Sequence, residues 1–207
     1  MMQLFYAPTS PFVRKVTVCA HELGLSEIIE RLDSAAHPVK RDTRIAAFSP
    51  LAKVPAARTE DGTLLYDSRV ICEYLDSQAG GGKLFPRDTT RWTALTLQSL
   101  GDGLMDAAIL IRYEGVARPP ELQSAEWRDA QFVKIDAALD EMNRLVETFR
   151  DEVSIGTITL GCALGFLDFR FADHPWRTGR EPLAAWFEAF AARPSMQASI
   201  PKDKPAT

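Results

Sequence analysis

The stretch Gln3-Leu4-Phe5-Tyr6-Ala7-Pro8-Thr9-Ser10-Pro11-Phe12-Val13-Arg14-Lys15-Val16 changes periodicity partway along. Gln3 to Tyr6 reads as a short strand, Ala7-Pro8-Thr9-Ser10-Pro11 breaks it, and Val13, Val16, Ala20 and Leu23 then recur at helical spacing. The reading is a strand, a turn and an amphipathic helix. Downstream, Ile28 to Leu32 has strand character, and Asp42 to Phe48 is a short helical or irregular piece ahead of Ser49-Pro50. Val54-Pro55-Ala56-Ala57-Arg58 and Thr63 to Tyr66 flank Glu60-Asp61-Gly62, where Asp-Gly signals a hairpin turn. Asp67-Ser68 can cap a helix whose apolar face includes Val70, Ile71, Tyr74 and Leu75. The order is βαβ, a connection, then ββα.

Beyond Gln78-Ala79-Gly80-Gly81-Gly82-Lys83, read as a flexible break, strand signals nearly vanish. Leu97, Leu100, Leu104, Ala107 and Ile111 mark one helical face, and Phe132, Ile135, Leu139, Met142, Val146 and Phe149 another. A helix from Ile158 to about Phe171 is apolar on all sides, which predicts a central, buried position. Pro182 opens a last helix that Arg193-Pro194 ends. The expected fold class is therefore an α+β N-terminal domain followed by an all-α helical bundle. Its expected boundaries are 1–78, a linker at 79–88, helices over 89–200 and a frayed tail at 201–207. Gly101 and Gly103 predict close backbone approach to a partner subunit or to the neighbouring domain.

Composition narrows the function classes. With 24 Lys+Arg against 28 Asp+Glu the net charge is -4, and no long run of one sign appears. That argues against a nucleic-acid binder, which needs a basic face to displace counterions. No run approaches the roughly 18 consecutive apolar residues of a membrane span, so no membrane partner is expected. The N-terminus lacks the basic segment and apolar core of a secretory signal, and a cytoplasmic location is expected. Cys19, Cys72 and Cys162 form no Cys-x-x-Cys pair and read as buried small hydrophobes. His21, His37 and His174 are scattered without ligand spacing, and no metal is assigned.

The turn-Ser-Pro at the first helix, Val-Pro before the third strand and Asp-Ser after the fourth, with Gly161 to Arg170 in the helical half, together resemble the glutathione S-transferase family. The resemblance spans essentially the whole chain. Ala7 to Val16 looks like a bacterial serine-type subgroup of that family. The N-terminal domain is then expected to be thioredoxin-like and the protein a homodimer serving detoxification. Glutathione would be the co-substrate, and the protein would stabilise its thiolate for attack on a small hydrophobic electrophile. Two alternatives stand beside it: a binding or regulatory protein of the same fold with little turnover, and a glutathione-dependent isomerase, dehalogenase or etherase.

The resemblance implies roles by position. Ser10, where a strand ends and a helix begins, would donate its hydroxyl to the thiolate; Tyr6 at the strand end is the rival, and a plain N-cap is the simpler reading of Ser10. Ser10 and Val13 replace both cysteines of a redox Cys-x-x-Cys, so a dithiol mechanism is excluded there. Pro55 would be cis, turning Val54 toward the cysteinyl unit of glutathione, although an ordinary trans proline is compatible with the local composition. Asp67 and Ser68 would receive the γ-glutamyl ammonium and carboxylate, or simply cap a helix. Lys53 and Lys40 are candidate partners for the glycine carboxylate. Phe12 is assigned to the glutathione site, and Asp102 would reach across a dimer interface. Thr9, Phe12, Arg112, Tyr113 and Phe166 are expected to wall the electrophile pocket. Ser154 and Thr157 resemble the family's capping box, with threonine where an acidic residue is usual.

Overall fold

The computed structural model describes residues 1–203. The elements are β1 (Met2–Tyr6), α1 (Pro11–Glu22), β2 (Ile29–Asp33), α2 (Thr43–Ala46), β3 (Ala57–Arg58), β4 (Leu64–Leu65), α3 (Ser68–Gln78), α4 (Arg91–Ala117), α5 (Ala125–Phe149), α6 (Ile155–Arg170), α7 (Glu181–Ala191) and α8 (Pro194–Gln197). Of the tail expected at 201–207, residues 204–207 lie outside the described residues. The chain forms two compact units, one of Met1–Arg91 with the segment from Pro194, the other of Trp92–Arg193.

In the first unit a mixed sheet has the order β2-β1-β3-β4. β1 runs parallel to β2, from Met2 opposite Ile29 to Tyr6 opposite Asp33. It runs antiparallel to β3, with Leu4 opposite Ala57, and β3 pairs antiparallel with β4, Ala57 opposite Leu65. This is the thioredoxin-like βαβ-ββα order. On one side of the sheet Phe5 joins Ile45, Phe48 and Ala56, with Phe5 edge-on to Phe48 at 4.8 Å. α1 packs against α3, each with a buried stripe: Val13, Val16 and Ala20 on one, Ile71, Cys72 and Leu75 on the other. The hairpin turn falls where Asp-Gly predicts it. Gly62 takes φ 88, which a side chain would resist, and Gly62 N–H donates to Thr59 O at 3.1 Å.

Two expectations for this unit need correction. The Gly80-Gly81-Gly82 stretch is pinned and not a flexible break. Asp76, 3% exposed, accepts from the N–H groups of Gly82 (2.7 Å), Lys83 (3.1 Å) and Leu84 (2.8 Å), and Leu84 and Phe85 are buried behind it. The chain also does not end its helices at Arg193-Pro194. α8 follows and packs on α1, so this segment belongs to the first unit and not to the helical one.

The second unit is helical. α6 begins at Ile155, ahead of the expected Ile158, and every residue from Ile155 to Leu167 is buried, as its apolar surface on all sides predicts. Two glycines let α4 and α6 approach. A Cβ at Gly156 would lie 2.8 Å from both Ala94 O and Leu97 Cβ, and one at Gly101 would lie 2.9 Å from Thr159 Cγ2. The close approach at Gly101 is thus to α6 of its own unit, and Gly103 has no atom within 4 Å of a built Cβ. Among the described residues only α4 is long and apolar enough to cross a membrane by length and composition, and 56% of that window is buried within the protein.

The Ser154 capping box is complete. Ser154 Oγ accepts from Thr157 N–H at 3.4 Å, and Thr157 Oγ1 accepts from Ser154 N–H at 2.9 Å, both buried. Threonine therefore replaces the acidic residue without leaving the cap N–H unpaired. Ser154→Ala is expected to lower unfolding stability by about 1–2 kcal/mol, read as a shift in the urea midpoint. An unchanged midpoint would show that the box contributes nothing.

Candidate functional site

Register assembles one end of the sheet. Leu4 faces Ala57, and Phe5 N–H donates to Ala56 O at 2.9 Å, so the next step along β1 sets Tyr6 level with Pro55. Ala57 faces Leu65 in the last pair of β3 and β4, and beyond Leu65 the chain passes through Tyr66 to Asp67, where α3 begins. The end of β1, the approach to β3 and the end of β4 therefore meet, and α1 and α3 both start there. Two helix N-termini share this end of the sheet with the Val54–Pro55 segment, which is cis at the peptide bond. The Tyr66–Asp67 peptide is also cis.

Ser10 is the N-cap of α1. Its backbone is extended (φ -82, ψ 121), Pro11 occupies the first turn, and Ser10 Oγ accepts from Val13 N–H at 3.3 Å. Ser10 N–H donates to Ala7 O at 3.0 Å, which closes the turn that brings the chain off β1. The cap engages a lone pair of the hydroxyl and leaves its proton for another acceptor. Capping and donation to a thiolate are thus compatible roles. Pro11 has no N–H and the Val13 N–H is engaged, so Phe12 N–H is the remaining donor of the first turn. No acidic side chain lies in the first turn or at the cap of α1, so nothing in its own first turn offsets its positive end, whereas α3 carries the Asp67 carboxylate at its cap.

Asp67 is the N-cap of α3, and one carboxylate oxygen accepts from Arg69 N–H at 2.9 Å. The residue is exposed, which leaves its other oxygen accessible, while Ser68 beside it is 2% exposed. Lys53 and Lys40 are exposed, and Lys53 follows Ala52, which takes φ 51. Tyr6, the rival of Ser10, carries the Arg31 guanidinium 4.6 Å from its ring centroid. Thr9 and Phe12 are half-buried beside Ser10 in the chain.

The remaining candidates belong to the second unit. Arg112 is exposed near the end of α4. Tyr113 is 37% exposed, and partial burial pushes its phenol above the usual tyrosine range, keeping it a neutral donor. Phe166 is 4% exposed on α6, its ring edge-on to Phe171 at 6.3 Å. Asp102 is 1% exposed within a single chain. No reading of the sequence gave a role to Arg14 or Lys15, yet both are buried on α1, at 8% and 0% exposure. Cys19, Cys72 and Cys162 are each 0% exposed. Among the described residues no group of His, Cys, Asp and Glu could hold a metal ion.

Residues 9–78 match the glutathione S-transferase N-terminal domain, and residues 125–189 match the C-terminal domain. The GST-like protein YibF of Escherichia coli K12, itself uncharacterised, is 35% identical over 205 residues, covering 97% of this chain and 98% of its own. The chain belongs to the glutathione S-transferase family. A glutathione transferase family member from Pseudomonas fluorescens Pf-5, solved with bound glutathione, is 43% identical with a TM-score of 0.95, covering 98% of this chain and 100% of its own. The same family member has also been solved with S-(propanoic acid)-glutathione, at 43% identity, a TM-score of 0.90 and the same coverage. A Methylobacillus flagellatus glutathione S-transferase with glutathione bound is 32% identical, with a TM-score of 0.86 and coverage of 98% and 100%.

Proposed function

We propose that this glutathione S-transferase family member is a glutathione transferase that holds glutathione as its thiolate, with Ser10 as the hydrogen-bond donor to sulfur. The carrying observation is the convergence, at one end of the sheet, of Ser10 at a helix N-terminus, Val54-Pro55, and Asp67-Ser68 at a second helix N-terminus. The solved relatives that bind glutathione support it. In this reading the Val54 backbone pairs with the cysteinyl unit, the Asp67 carboxylate takes the γ-glutamyl ammonium, and Ser68 with the α3 N-terminus takes its carboxylate. Lys53 takes the glycine carboxylate.

The chemistry needs a thiol with an ordinary pKa near 8.5 to be ionised at neutral pH. Lowering it by roughly 2 units takes about 2.7 kcal/mol, within reach of one hydroxyl donor and a helix terminus. The sulfur lone pair then forms a bond to an electrophilic carbon. In a substitution the leaving group departs with its bonding pair; in a conjugate addition the proton lost by the thiol is replaced at the α-carbon. The Pseudomonas relative has been solved with bound S-(propanoic acid)-glutathione, a glutathione carrying a small carboxylic acid on sulfur. That observation favours electrophiles that leave a small carboxylic acid on sulfur among those to be tried.

Isothermal titration with glutathione tests the binding half. Asp67→Ala is expected to weaken glutathione about 10-fold or more, the loss of one charge-assisted hydrogen bond, while leaving S-substituted and free glutathione equally affected. Equal affinity in wild type and variant would remove Asp67 from the site.

A further inference from the structure

α1 carries Ser10 at its first turn, and the C-terminal segment grips that helix at two points. Arg14, 8% exposed, donates from Nη2 to Met196 O at 3.1 Å and from Nε to Ser199 Oγ at 3.4 Å. Two turns further on, Ser195 Oγ donates to the Glu22 carboxylate. Arg14, Val18 and Glu22 succeed one another at four-residue steps, so both grips lie along one stripe of α1. Ser199 Oγ is itself held by Ser195 O at 2.8 Å, which fixes the acceptor. At its other end Arg14 is tied to the cap: its N–H donates to Ser10 O at 3.0 Å, next to the Val13 N–H that donates to Ser10 Oγ.

We propose that Arg14 is a positioning residue for the thiolate donor, with the Pro194–Ser199 segment as the clamp that holds it. The proposal rests on the reading of Ser10 given above. A helix anchored only by apolar contacts can rotate or slide slightly about its axis, because those contacts are non-directional. Hydrogen bonds from a planar guanidinium to a carbonyl and a hydroxyl are directional and fix that freedom. Misplacing a donor hydroxyl by a fraction of an ångström weakens its bond to sulfur. The clamp therefore sets where the Ser10 hydroxyl points.

The test is the pKa of bound glutathione, read from its ultraviolet thiolate absorbance across pH. It is measured for the full-length protein, Ser10→Ala, Arg14→Met, Arg14→Lys, Ser199→Ala and the Ser10→Ala/Arg14→Met double variant. Arg14→Met is expected to raise that pKa by about one unit, Ser199→Ala to shift it the same way but less, and Arg14→Lys to recover only part. Positioning through Ser10 predicts non-additivity: in the double variant the pKa equals that of Ser10→Ala alone. Ser199→Ala leaves Arg14 and its charge in place, so it keeps the proposal testable if Arg14→Met fails to fold. An unchanged pKa in Ser199→Ala and Arg14→Met, with a shift in Ser10→Ala, overturns the clamp and leaves the Ser10 reading intact. A fully additive double variant overturns positioning in favour of a direct charge effect. No shift in Ser10→Ala overturns the Ser10 reading itself.

Discussion

Ser10→Ala is expected to lower kcat/KM for glutathione addition by about 10- to 100-fold at neutral pH, the equivalent of one hydrogen bond to a charged acceptor. The loss should fall mainly on kcat and shrink as pH rises, because the variant's thiol ionises unaided above its ordinary pKa of about 8.5. The same substitution removes the cap that accepts from Val13 N–H, at a stability cost of about 1 kcal/mol. Ser10→Thr separates the two effects, since threonine keeps both the cap and a hydroxyl proton. It should retain most of the activity. A Ser10→Ala enzyme with wild-type kcat and wild-type pH dependence would move attention to Tyr6, with Tyr6→Phe the corresponding measurement.

The largest stability effect is expected at Asp76. Its carboxylate, 3% exposed, is the acceptor for Gly82, Lys83 and Leu84 N–H groups. Asp76→Ala strands the buried Leu84 donor and takes the partner from the part-buried Gly82 and Lys83 donors; at about 1–3 kcal/mol for the buried group and about 1 kcal/mol for each of the others, the expected loss is about 3–5 kcal/mol. That is a large share of the roughly 5–15 kcal/mol that holds an ordinary domain together. Asp76→Asn keeps one acceptor oxygen and should lose less. Urea unfolding followed by circular dichroism gives both values, and a loss under about 1 kcal/mol for Asp76→Ala would mean that water replaces the carboxylate.

These two positions differ in how far the sequence announces them. Ser10 is legible because its signal is local: a strand ending at Tyr6, a proline-rich break, and Pro11 at the first helical position together write a helix start. Asp67 is legible for the same reason, and α6 is legible because no polar face interrupts it. Asp76 reads only as one polar residue of α3, and three glycines ahead read as freedom. What pins Gly82 and the two residues after it is an acceptor six to eight residues upstream, a distance at which composition carries no information. α8 is hidden in the same way. Pro194-Ser195-Met196-Gln197 has no periodic pattern, and its place on α1 is decided by Arg14 and Glu22, which sit far earlier in the chain. Local propensity predicts elements; polar contacts over long separations decide which unit an element joins.

The candidate site follows the same division. Val54-Pro55 and Asp67-Ser68 read individually as an edge-strand proline and a helix cap, and only the pairing of β1, β3 and β4 brings the segments leading into β3 and out of β4 to the end of the sheet where β1 leads on to α1. Gly101 shows the reverse case: it marks a close approach, to Thr159 of α6 and not to a partner subunit or the other unit, while Gly103 two residues on marks none. Asp102, one position along the same helix, is buried at 1% exposure. A helix sequence gives the spacing of its faces without saying which neighbour covers each.

We propose above all that this glutathione S-transferase family member binds glutathione as the thiolate. The most direct measurement is the ultraviolet difference spectrum of the wild-type protein titrated with glutathione at neutral pH. The expected result is a saturable thiolate band whose pH midpoint lies roughly 2 units below that of free glutathione. Saturable binding without that band, or no binding at all, would contradict it.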